Sequence, residues 1–382
     1  MAKRKWLRTR HKAVFAVLRG IFGIHTKIKY NYKAEKSDLK PPFLLMSNHT
    51  TALDPFFASL SFKCPIYFCS TDDLFNIPVA TPIIKFLVAP IPKMKSGMDM
   101  HAIRDCVRVA REGGAVGIFP EGNRTLSGAQ WEMTDAVSKF VKMCNVPLVL
   151  YNIEGGYGSD PRWGTKIRKG KMRGYVKAVL TPDEFKNMSN EQLYEFVCKN
   201  LTVYDADSGV KFKNKRRAEN IQRALYMCPH CGKISTITSK RTKFKCVNCN
   251  NVWTYTEDLH IEPADKFDTV LPWYEWQCDE MRRLVQTTAG FVISDNAVKL
   301  YRSGGGKRKK RLAKGSVSAD REGITFSSKR NETRFLYRDM SGFAIVRKNK
   351  FEFYVDGITY QITGDDKFCS VKYLHLYQGV NL

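Results

Sequence analysis

The chain has 382 residues and a formal net charge of +26, with 43% hydrophobic and 26% charged residues. This composition excludes a disordered chain, and the length is enough for about two or three domains. The excess of cations predicts attraction to a polyanion, either a nucleic acid or an anionic membrane surface. Composition alone does not choose between the two.

Residues 1–24 interleave apolar side chains at helical spacing with lysines and arginines. Trp6, Val14, Leu18 and Phe22 define the apolar side. The pattern predicts a basic amphipathic helix lying in a membrane interface, and the alternative is a helix packed on its own domain. No stretch reaches the ~18–20 unbroken apolar residues of a membrane-spanning helix. No small-residue cleavage site follows the basic start, so a signal peptide is not expected either.

Residues 25–205 alternate short apolar segments with segments of helical periodicity. This alternation predicts an α/β layered domain with a mostly parallel sheet. The predicted strands lie at residues 43–47, 66–70, 115–119, 146–153 and 174–180, and the predicted helices lie at 100–112, 131–144 and after Ser189.

Asn48 and His49 come directly after the strand predicted at 43–47, and Asp54 follows five residues after His49. A histidine at the carboxyl end of a strand lies at the edge where α/β proteins bind ligands, and imidazole serves as a general base near neutral pH. A turn between the two residues would let the Asp54 carboxylate reach the imidazole and fix its tautomer. The alternative makes Asp54 the N-cap of a helix that begins at Pro55.

The block Phe-Pro-Glu-Gly-Asn-Arg-Thr at residues 119–125 follows another predicted strand. Gly122 permits close approach of the backbone to a ligand, and the planar guanidinium of Arg124 suits phosphate oxygens. The alternative is a loop in which Glu121 and Arg124 pair with neighbouring side chains.

Together, the Asn-His-x4-Asp block and the 119–125 block resemble the glycerolipid acyltransferase family, of the 1-acyl-sn-glycerol-3-phosphate type, over most of residues 15–205. The resemblance implies that His49 deprotonates the acceptor hydroxyl, which attacks an acyl thioester directly, and that Asp54 orients His49. It also implies that Glu121, Gly122 and Arg124 bind the acceptor phosphate.

Lys93 ends the block Ala-Pro-Ile-Pro-Lys at residues 89–93, where the family usually has a phosphate-binding arginine. By the resemblance it joins the phosphate site, although lysine lacks the bidentate geometry of arginine. Downstream, residues 162–173 form a basic run without acids. This run is expected either to meet lipid headgroups or coenzyme A phosphates, or to be a solvated loop.

The resemblance further implies the substrates. The acyl donor is acyl-CoA or an acyl-carrier protein, the acceptor is lysophosphatidic acid and the product is phosphatidic acid. Glycerol-3-phosphate and other lysophospholipids stay open as acceptors. The expected location is peripheral, on the cytoplasmic face of an anionic membrane.

The chain has eleven cysteines, and four of them form the spacing C-x2-C-x14-C-x2-C. An odd total with two tight pairs favours reduced thiols and metal ligation over a disulfide framework. Cys228, Cys231, Cys246 and Cys249 are therefore predicted to hold a structural Zn²⁺ in a closed tetrahedral site of a zinc ribbon. Whether this ribbon binds nucleic acid, binds protein or spaces domains apart is left open.

The last part of the chain is β-rich, with a helical segment near its end. The predicted strands lie at 291–294, 297–301, 316–319, 324–327, 334–337, 343–347, 351–355 and 359–363, and the predicted helix lies at 368–377. This pattern resembles a pleckstrin-homology or GRAM-type domain. The whole chain then divides into a membrane-contact helix at 1–24, the acyltransferase domain at 25–205, a basic linker at 206–226, the zinc ribbon at 227–258 and the β-rich domain at 259–382.

A nucleic-acid-binding protein is the competing interpretation. The pI near 9.6, the zinc ribbon and the Lys-Arg-Lys-Lys-Arg run at 307–311 support it. This interpretation does not explain the Asn-His-x4-Asp block or the 119–125 block, so nucleic acid is not the favoured partner.

Overall fold

The structure, a computed structural model, describes residues 6–71, 89–93, 100–304 and 309–380. The chain divides into two compact units. The first comprises Met1–Pro161 and Ile167–Asn214, and the second comprises Arg162–Lys166 and Lys215–Leu382.

Seven described strands form one sheet in the first unit. They are β1 (Tyr32–Ala34), β2 (Phe43–Ser47), β3 (Ile66–Thr71), β4 (Ile91–Lys93), β5 (Ala115–Ile118), β6 (Leu148–Glu154) and β7 (Met172–Leu180). Their order is β1-β7-β6-β2-β5-β3-β4, and every neighbouring pair is parallel except β6 and β7. The predicted α/β class with a mostly parallel sheet is confirmed.

Helices cover both faces of this sheet. They are α1 (Thr9–Tyr30), α2 (Asp54–Ser59), α3 (Met100–Arg111), α4 (Ala136–Cys144), α5 (Gly156–Ser159), α6 (Pro182–Lys186) and α7 (Asn190–Leu201). Successive side chains of a strand point to opposite faces, so Leu44 and Met46 of β2 join one hydrophobic core while Phe43 and Leu45 join the other. Burial on both faces is typical of a central parallel strand.

Helix α4 begins at Ala136 rather than at residue 131 as predicted. The reason is local, because Trp131 is held by two contacts to the preceding loop. Its backbone N–H donates to Glu121 at 2.9 Å, and its indole Nε1 donates to the carbonyl of Arg124 at 3.0 Å. These contacts favour an extended segment before the helix.

The segment from Trp6 to the end of α1 packs within the first unit through residues that we expected to face a membrane. Trp6 is only 2% exposed, and its Nε1 donates to the carbonyl of Ala89 at 2.9 Å. Phe22 stacks on Phe56, with 4.1 Å between ring centroids. Trp6 is therefore not available for the expected membrane contact, and the partly buried Phe22 contributes to packing. Within the described residues, no helix combines the length and the apolar character needed to cross a bilayer.

The second unit begins with a small antiparallel sheet. Its strands are β8 (Ile237–Lys240), β9 (Lys243–Cys246), β10 (Val252–Tyr255) and β11 (Ile261–Glu262), in the order β11-β10-β9-β8. Trp253 of β10 stacks on Phe244 and packs edge-on against Trp273. Trp273 belongs to helix α8 (Val270–Thr287), which we did not predict.

A second seven-stranded sheet follows, antiparallel throughout. Its strands are β12 (Ile293–Ser303), β13 (Lys310–Ala319), β14 (Gly323–Ser328), β15 (Glu332–Leu336), β16 (Met340–Val346), β17 (Lys350–Val355) and β18 (Ile358–Thr363). The order is β15-β14-β13-β12-β18-β17-β16, and helix α9 (Val371–Val380) ends the described chain. The strands predicted at 291–294 and 297–301 form the single strand β12, since a bulge between Asp295 and Val298 absorbs the polar interruption.

The segment 206–226, which we predicted as a basic linker, contains buried apolar side chains. In the first unit, Phe212 is fully buried, and side chains at Gly158 or Gly170 would collide with its ring. In the second unit, Ile221 and Leu225 are fully buried. The many lysines and arginines of this segment made its buried apolar residues difficult to recognise in the sequence.

Candidate active site and cysteine cluster

The two motif blocks meet at one edge of the first sheet. Strands β2 and β5 are parallel neighbours, so their carboxyl ends bring His49 and the loop after Ile118 to the same edge. The N–H of Thr125 donates to the carbonyl of His49 at 3.0 Å. Asn48 exchanges two hydrogen bonds with the backbone of Ile153 on β6, at 2.8 and 2.9 Å. The backbone around His49 is therefore fixed from both neighbouring strands.

His49 and Asp54 form a hydrogen-bonded pair. The distance from His49 Nδ1 to Asp54 Oδ2 is 2.8 Å, with the Asp54 side chain fully buried and the His49 side chain 20% exposed. With the proton assigned to Nδ1, the carboxylate fixes the tautomer in which Nε2 is the basic nitrogen. The five-residue offset thus works through a turn, as the spacing required.

Further donors hold the Asp54 carboxylate in place. Oδ2 also accepts from the backbone N–H groups of Thr50 and Thr51 at 2.6 and 2.9 Å, and Oδ1 accepts from the Thr51 hydroxyl at 2.7 Å. Asp54 is the first residue of α2, and no capping hydrogen bond is made by the N-cap residue, Leu53. The carboxylate therefore organises the loop before the helix as well as the imidazole.

The ring of His49 lies against aromatic side chains. Phe119 stacks on it with 4.3 Å between centroids, and Phe68 stacks behind Phe119 at 5.7 Å. An apolar wall beside a partly exposed imidazole limits the water around it, which strengthens nearby electrostatic interactions.

The resemblance implied that Glu121 binds the acceptor phosphate, and the structure shows that its carboxylate is held by backbone groups of the site. Glu121 is 9% exposed, and both its oxygens accept backbone hydrogen bonds, Oε1 from His49 at 2.7 Å and Oε2 from Trp131 at 2.9 Å. Burial raises the pKa of Glu121 to about 8, while the two N–H donors oppose that rise. An acidic group placed in this way fixes the loop and is poorly suited to contact an anion.

Gly122 and Arg124 lie on the same loop. Gly122 has φ +67°, a left-handed backbone conformation that favours glycine. Crowding is not the reason for glycine here, because a side chain would meet no atom within 4 Å. Arg124 is partly buried, and its carbonyl is held by Trp131 Nε1 at 3.0 Å. The loop reaches His49 one residue later, through the hydrogen bond from the Thr125 N–H to the His49 carbonyl.

Lys93 ends β4, while its side chain lies outside the described part of the structure. Because β4 is parallel to β3 and β3 is parallel to β5, the carboxyl end of β4 lies at the edge that carries His49. The role of Lys93 in binding phosphate stays a prediction.

The basic run at 162–173 is in part structural. Arg162 is 2% exposed and donates to the carbonyls of Arg347 and Ile345 at 2.9 and 2.8 Å. Arg168 is 1% exposed and donates to the carbonyl of Gly158 at 3.4 Å. The prediction that this run meets lipid or coenzyme A is therefore wrong for these two arginines, because both are buried and donate to carbonyl groups.

Asp205 supports the site from behind, and the sequence reading missed it. Its buried carboxylate accepts from the N–H groups of Gly155 at 2.7 Å and Gly158 at 2.9 Å. Burial raises the pKa of Asp205 to about 6, against the effect of these donors. The turn that it holds packs on the loop that follows His49, since a side chain at Gly156 would collide with Thr50. An aspartate beside a basic segment carries no sequence signal for such a contact.

The four paired cysteines come together in the second unit. Sγ of Cys228 lies 3.6 Å from that of Cys249, and Sγ of Cys231 lies 3.7 Å from that of Cys246. All four sulfurs lie within 4.8 Å of one another. Tetrahedral Zn–S bonds of about 2.3 Å require sulfur separations of roughly 3.8 Å. The four thiols can therefore hold one metal ion.

These features define an α/β layered domain with a histidine–aspartate pair at the carboxyl edge of its sheet. Residues 27–153 match the family model described as Acyltransferase. Residues 27–153 of this chain are therefore similar to the acyltransferase family.

Similar proteins carry related names. Over 96 residues the chain is 29% identical to a 1-acyl-sn-glycerol-3-phosphate acyltransferase of Borreliella burgdorferi, covering 25% of this chain and 38% of that protein. Over 161 residues it is 26% identical to the chloroplastic 1-acyl-sn-glycerol-3-phosphate acyltransferase BAT2 of Brassica napus, covering 40% and 46%. The chain thus spans less than half the length of these curated relatives. The crystal structure of the 1-acyl-sn-glycerophosphate (LPA) acyltransferase PlsC from Thermotoga maritima aligns with a TM-score of 0.44 and 19% identity, covering 50% of this chain and 78% of that chain.

Proposed function

We propose that this protein transfers a fatty acyl group from acyl-CoA or an acyl-carrier protein to the hydroxyl of lysophosphatidic acid, giving phosphatidic acid. The observation that carries the proposal is the 2.8 Å bond between His49 Nδ1 and a buried, fully oriented Asp54 within an acyltransferase-family domain. The names of the two sequence relatives support this choice of acceptor.

His49 acts as the general base. With Nδ1–H donated to Asp54, Nε2 removes the proton of the acceptor hydroxyl, and the hydroxyl oxygen attacks the thioester carbonyl. The tetrahedral intermediate collapses with loss of the thiolate, which takes the proton back from the imidazolium. Asp54 stabilises that imidazolium and is itself held by Thr50 and Thr51. No acyl-enzyme forms.

The acceptor phosphate binds beside this base. Arg124 supplies a charge with fork geometry, Lys93 supplies a second cation, and the left-handed turn at Gly122 lets the backbone approach the ligand. Glu121 serves as a positioning residue, because both of its oxygens are bonded to the backbone of the site.

Access to a lipid acceptor requires a membrane contact, and α1 offers one on the face opposite to its packed side. Val17, Ile21, Ile24 and Ile28 follow one another at helical intervals and are 62%, 59%, 65% and 77% exposed. Helix α1 contains no acidic residue and carries several cations. A second copy of this chain would bring like charges together, whereas an anionic bilayer complements them and buries the apolar stripe. We therefore assign the stripe to an anionic membrane surface.

The cysteine cluster binds zinc with a structural role. Four thiolates close the coordination shell, and so no open position is left for a reacting water. The ion would join Cys228 and Cys231 to the turn that holds Cys246 and Cys249, and its binding energy would contribute to folding.

A nucleic-acid-binding function is the weaker alternative. The described ribbon presents exposed cations, among them Lys240, Arg241 and Lys243. Its aromatic side chains Trp253 and Phe244 are buried, so they offer no stacking surface to bases. The run at 307–311 lies partly outside the described residues.

The test is an assay of purified protein with vesicles, lysophosphatidic acid and acyl-CoA, with the product identified by mass. Glycerol-3-phosphate, lysophosphatidylcholine and an acyl-carrier-protein thioester replace the substrates in parallel reactions. Phosphatidic acid formed only with lysophosphatidic acid supports the proposal. Absence of every acylated product, together with salt-sensitive nucleic-acid binding that is unchanged in His49→Ala, would favour the alternative.

A further inference from the structure

A groove of about 860 Å³ lies in the first unit between α1, β1 and Leu60, the residue that follows α2. This volume falls within the roughly 300–1,000 Å³ of small-molecule sites. Its polar and charged wall is formed by Arg19, Thr26, Lys27, Asn31, Lys33 and Lys36. Ala16, Ile24 and Leu60 provide apolar wall beside these groups.

All ionisable charges on the described wall are positive, and no carboxylate lines it. Lys27 lies in the last turn of α1, where a cation complements the helix dipole, and Lys36 donates to the carbonyl of Leu60 at 3.0 Å. Neither effect accounts for Arg19 and Lys33. Burial and the nearby charge of Arg19 lower the pKa of Lys36, so the cluster is under mutual repulsion without an anion.

Two glycines of α1 also line the groove, and packing within the protein does not explain them. A side chain at Gly20 would meet no atom within 4 Å, and one at Gly23 would meet only Leu60 at an ordinary 3.9 Å. Neither has the positive φ that favours glycine. A glycine in a helix interior costs about 1 kcal/mol relative to alanine. The effect of these two residues is to keep the groove wide between the cations.

We propose that this groove binds the phosphate groups of an amphiphilic ligand, at a site separate from the Arg124 loop. The cations would contact the phosphate oxygens, and the apolar wall would contact the rest of the ligand. Two sources share this chemistry, the headgroup of an anionic phospholipid and the phosphates of a coenzyme A thioester. Assignment to the coenzyme A donor rests on the proposed function, whereas phosphate binding itself does not.

The test measures binding without turnover, in intact protein carrying His49→Ala. One variant is Gly20→Gln, which fills the groove with a polar side chain that the fold can accommodate, and its matched control is Ala13→Gln on an exposed part of α1 outside the wall. A second variant neutralises Arg19, Lys27 and Lys33 to glutamine. Its control neutralises Lys169, Lys177 and Lys199, which are exposed elsewhere in the first unit. The probes are coenzyme A in solution, by calorimetry, and phosphatidylcholine vesicles with and without phosphatidic acid, by sedimentation.

We expect both groove variants to weaken binding of at least one probe about tenfold or more, and both controls to bind like the parent. Loss confined to coenzyme A identifies the donor as the source, and loss confined to phosphatidic acid vesicles identifies a lipid headgroup. The proposal is overturned if neither probe binds the parent, or if folded Gly20→Gln binds both probes as the parent does. Because binding is measured in a protein without the proposed base, this result is independent of acyl transfer.

Discussion

Asp54 accepts the Nδ1–H of His49 at 2.8 Å through the same oxygen that accepts the N–H groups of Thr50 and Thr51. One carboxylate therefore fixes both the imidazole and the loop that carries it. A charge is needed for this arrangement, since an amide has only one oxygen for these donors and presents N–H groups of its own.

Asp54→Asn should accordingly lower the turnover rate by roughly 10²–10⁴, because the imidazole loses its tautomer and its partner for the imidazolium. Asp38→Asn is the control, as that carboxylate is 88% exposed and pairs only with Lys63 among described contacts. Steady-state rates and circular dichroism would be measured for both. A folded Asp54→Asn protein with the rate of the control contradicts the role given to this carboxylate.

Glu121 should make stability depend on pH. Burial raises its pKa from 4.5 to about 8, so the stability contributed by the protonated group is complete below pH 4.5 and is lost as pH rises through 8. Glu121→Gln does not titrate. The parent should therefore lose roughly 1–4 kcal/mol of unfolding free energy relative to Glu121→Gln as pH rises from about 5 to about 8.5. Urea unfolding would measure it, with exposed Glu195→Gln as control. A constant difference across this range would mean that Glu121 stays ionised.

The cysteine cluster should hold one zinc ion per chain, as measured by metal analysis of protein purified without added zinc. Cys228→Ser should lose the ion and lower the unfolding temperature of the second unit, because the ion contributes folding energy. Cys278→Ser removes a thiol of the same unit outside the cluster and should keep the metal. Zinc content that is the same in both variants rules out this site.

The exposed stripe of α1 should govern vesicle binding. Ile21→Gln together with Ile28→Gln removes apolar surface without touching the groove or the packed side, since neither residue lines the groove and both are more than half exposed. Burial of an isoleucine contributes about 1.5–3 kcal/mol, so affinity for anionic vesicles should fall at least about tenfold. Val179→Gln with Val252→Gln, exposed elsewhere, is the matched control. Equal sedimentation of the two double variants would place the membrane contact on another surface.

The central strands and the position of His49 at the end of one of them followed from the sequence because both depend on local patterns. Apolar runs bounded by turns predicted β2 at its observed limits, and the parallel arrangement brought His49 and the 119–125 loop to one edge. Spacing alone also required a turn between His49 and Asp54. The spacing of the four cysteines likewise predicted that their sulfurs come together.

The parts that the sequence did not predict depend on long-range burial. The buried residues of α8 recur every three or four positions, yet Pro272 in its first turn and the aromatic residues concealed the helix. Three cations that the sequence alone would place on the surface are 2% exposed or less, namely Arg162, Arg168 and Lys372. Which face of α1 packs inward depended on partners such as Phe56, which lies far away in sequence.

The proposed mechanism depends on proton transfer by His49. Turnover rates of variants with and without this imidazole test it. The rate of phosphatidic acid formation from lysophosphatidic acid and acyl-CoA would be measured for the parent, for His49→Ala and for the control His101→Ala, whose side chain is exposed on α3. We expect His49→Ala to lose a factor of at least ~10²–10⁴ in turnover while folding like the parent, and His101→Ala to keep its rate. A folded His49→Ala protein that turns over at the rate of the parent would show that His49 is not the base.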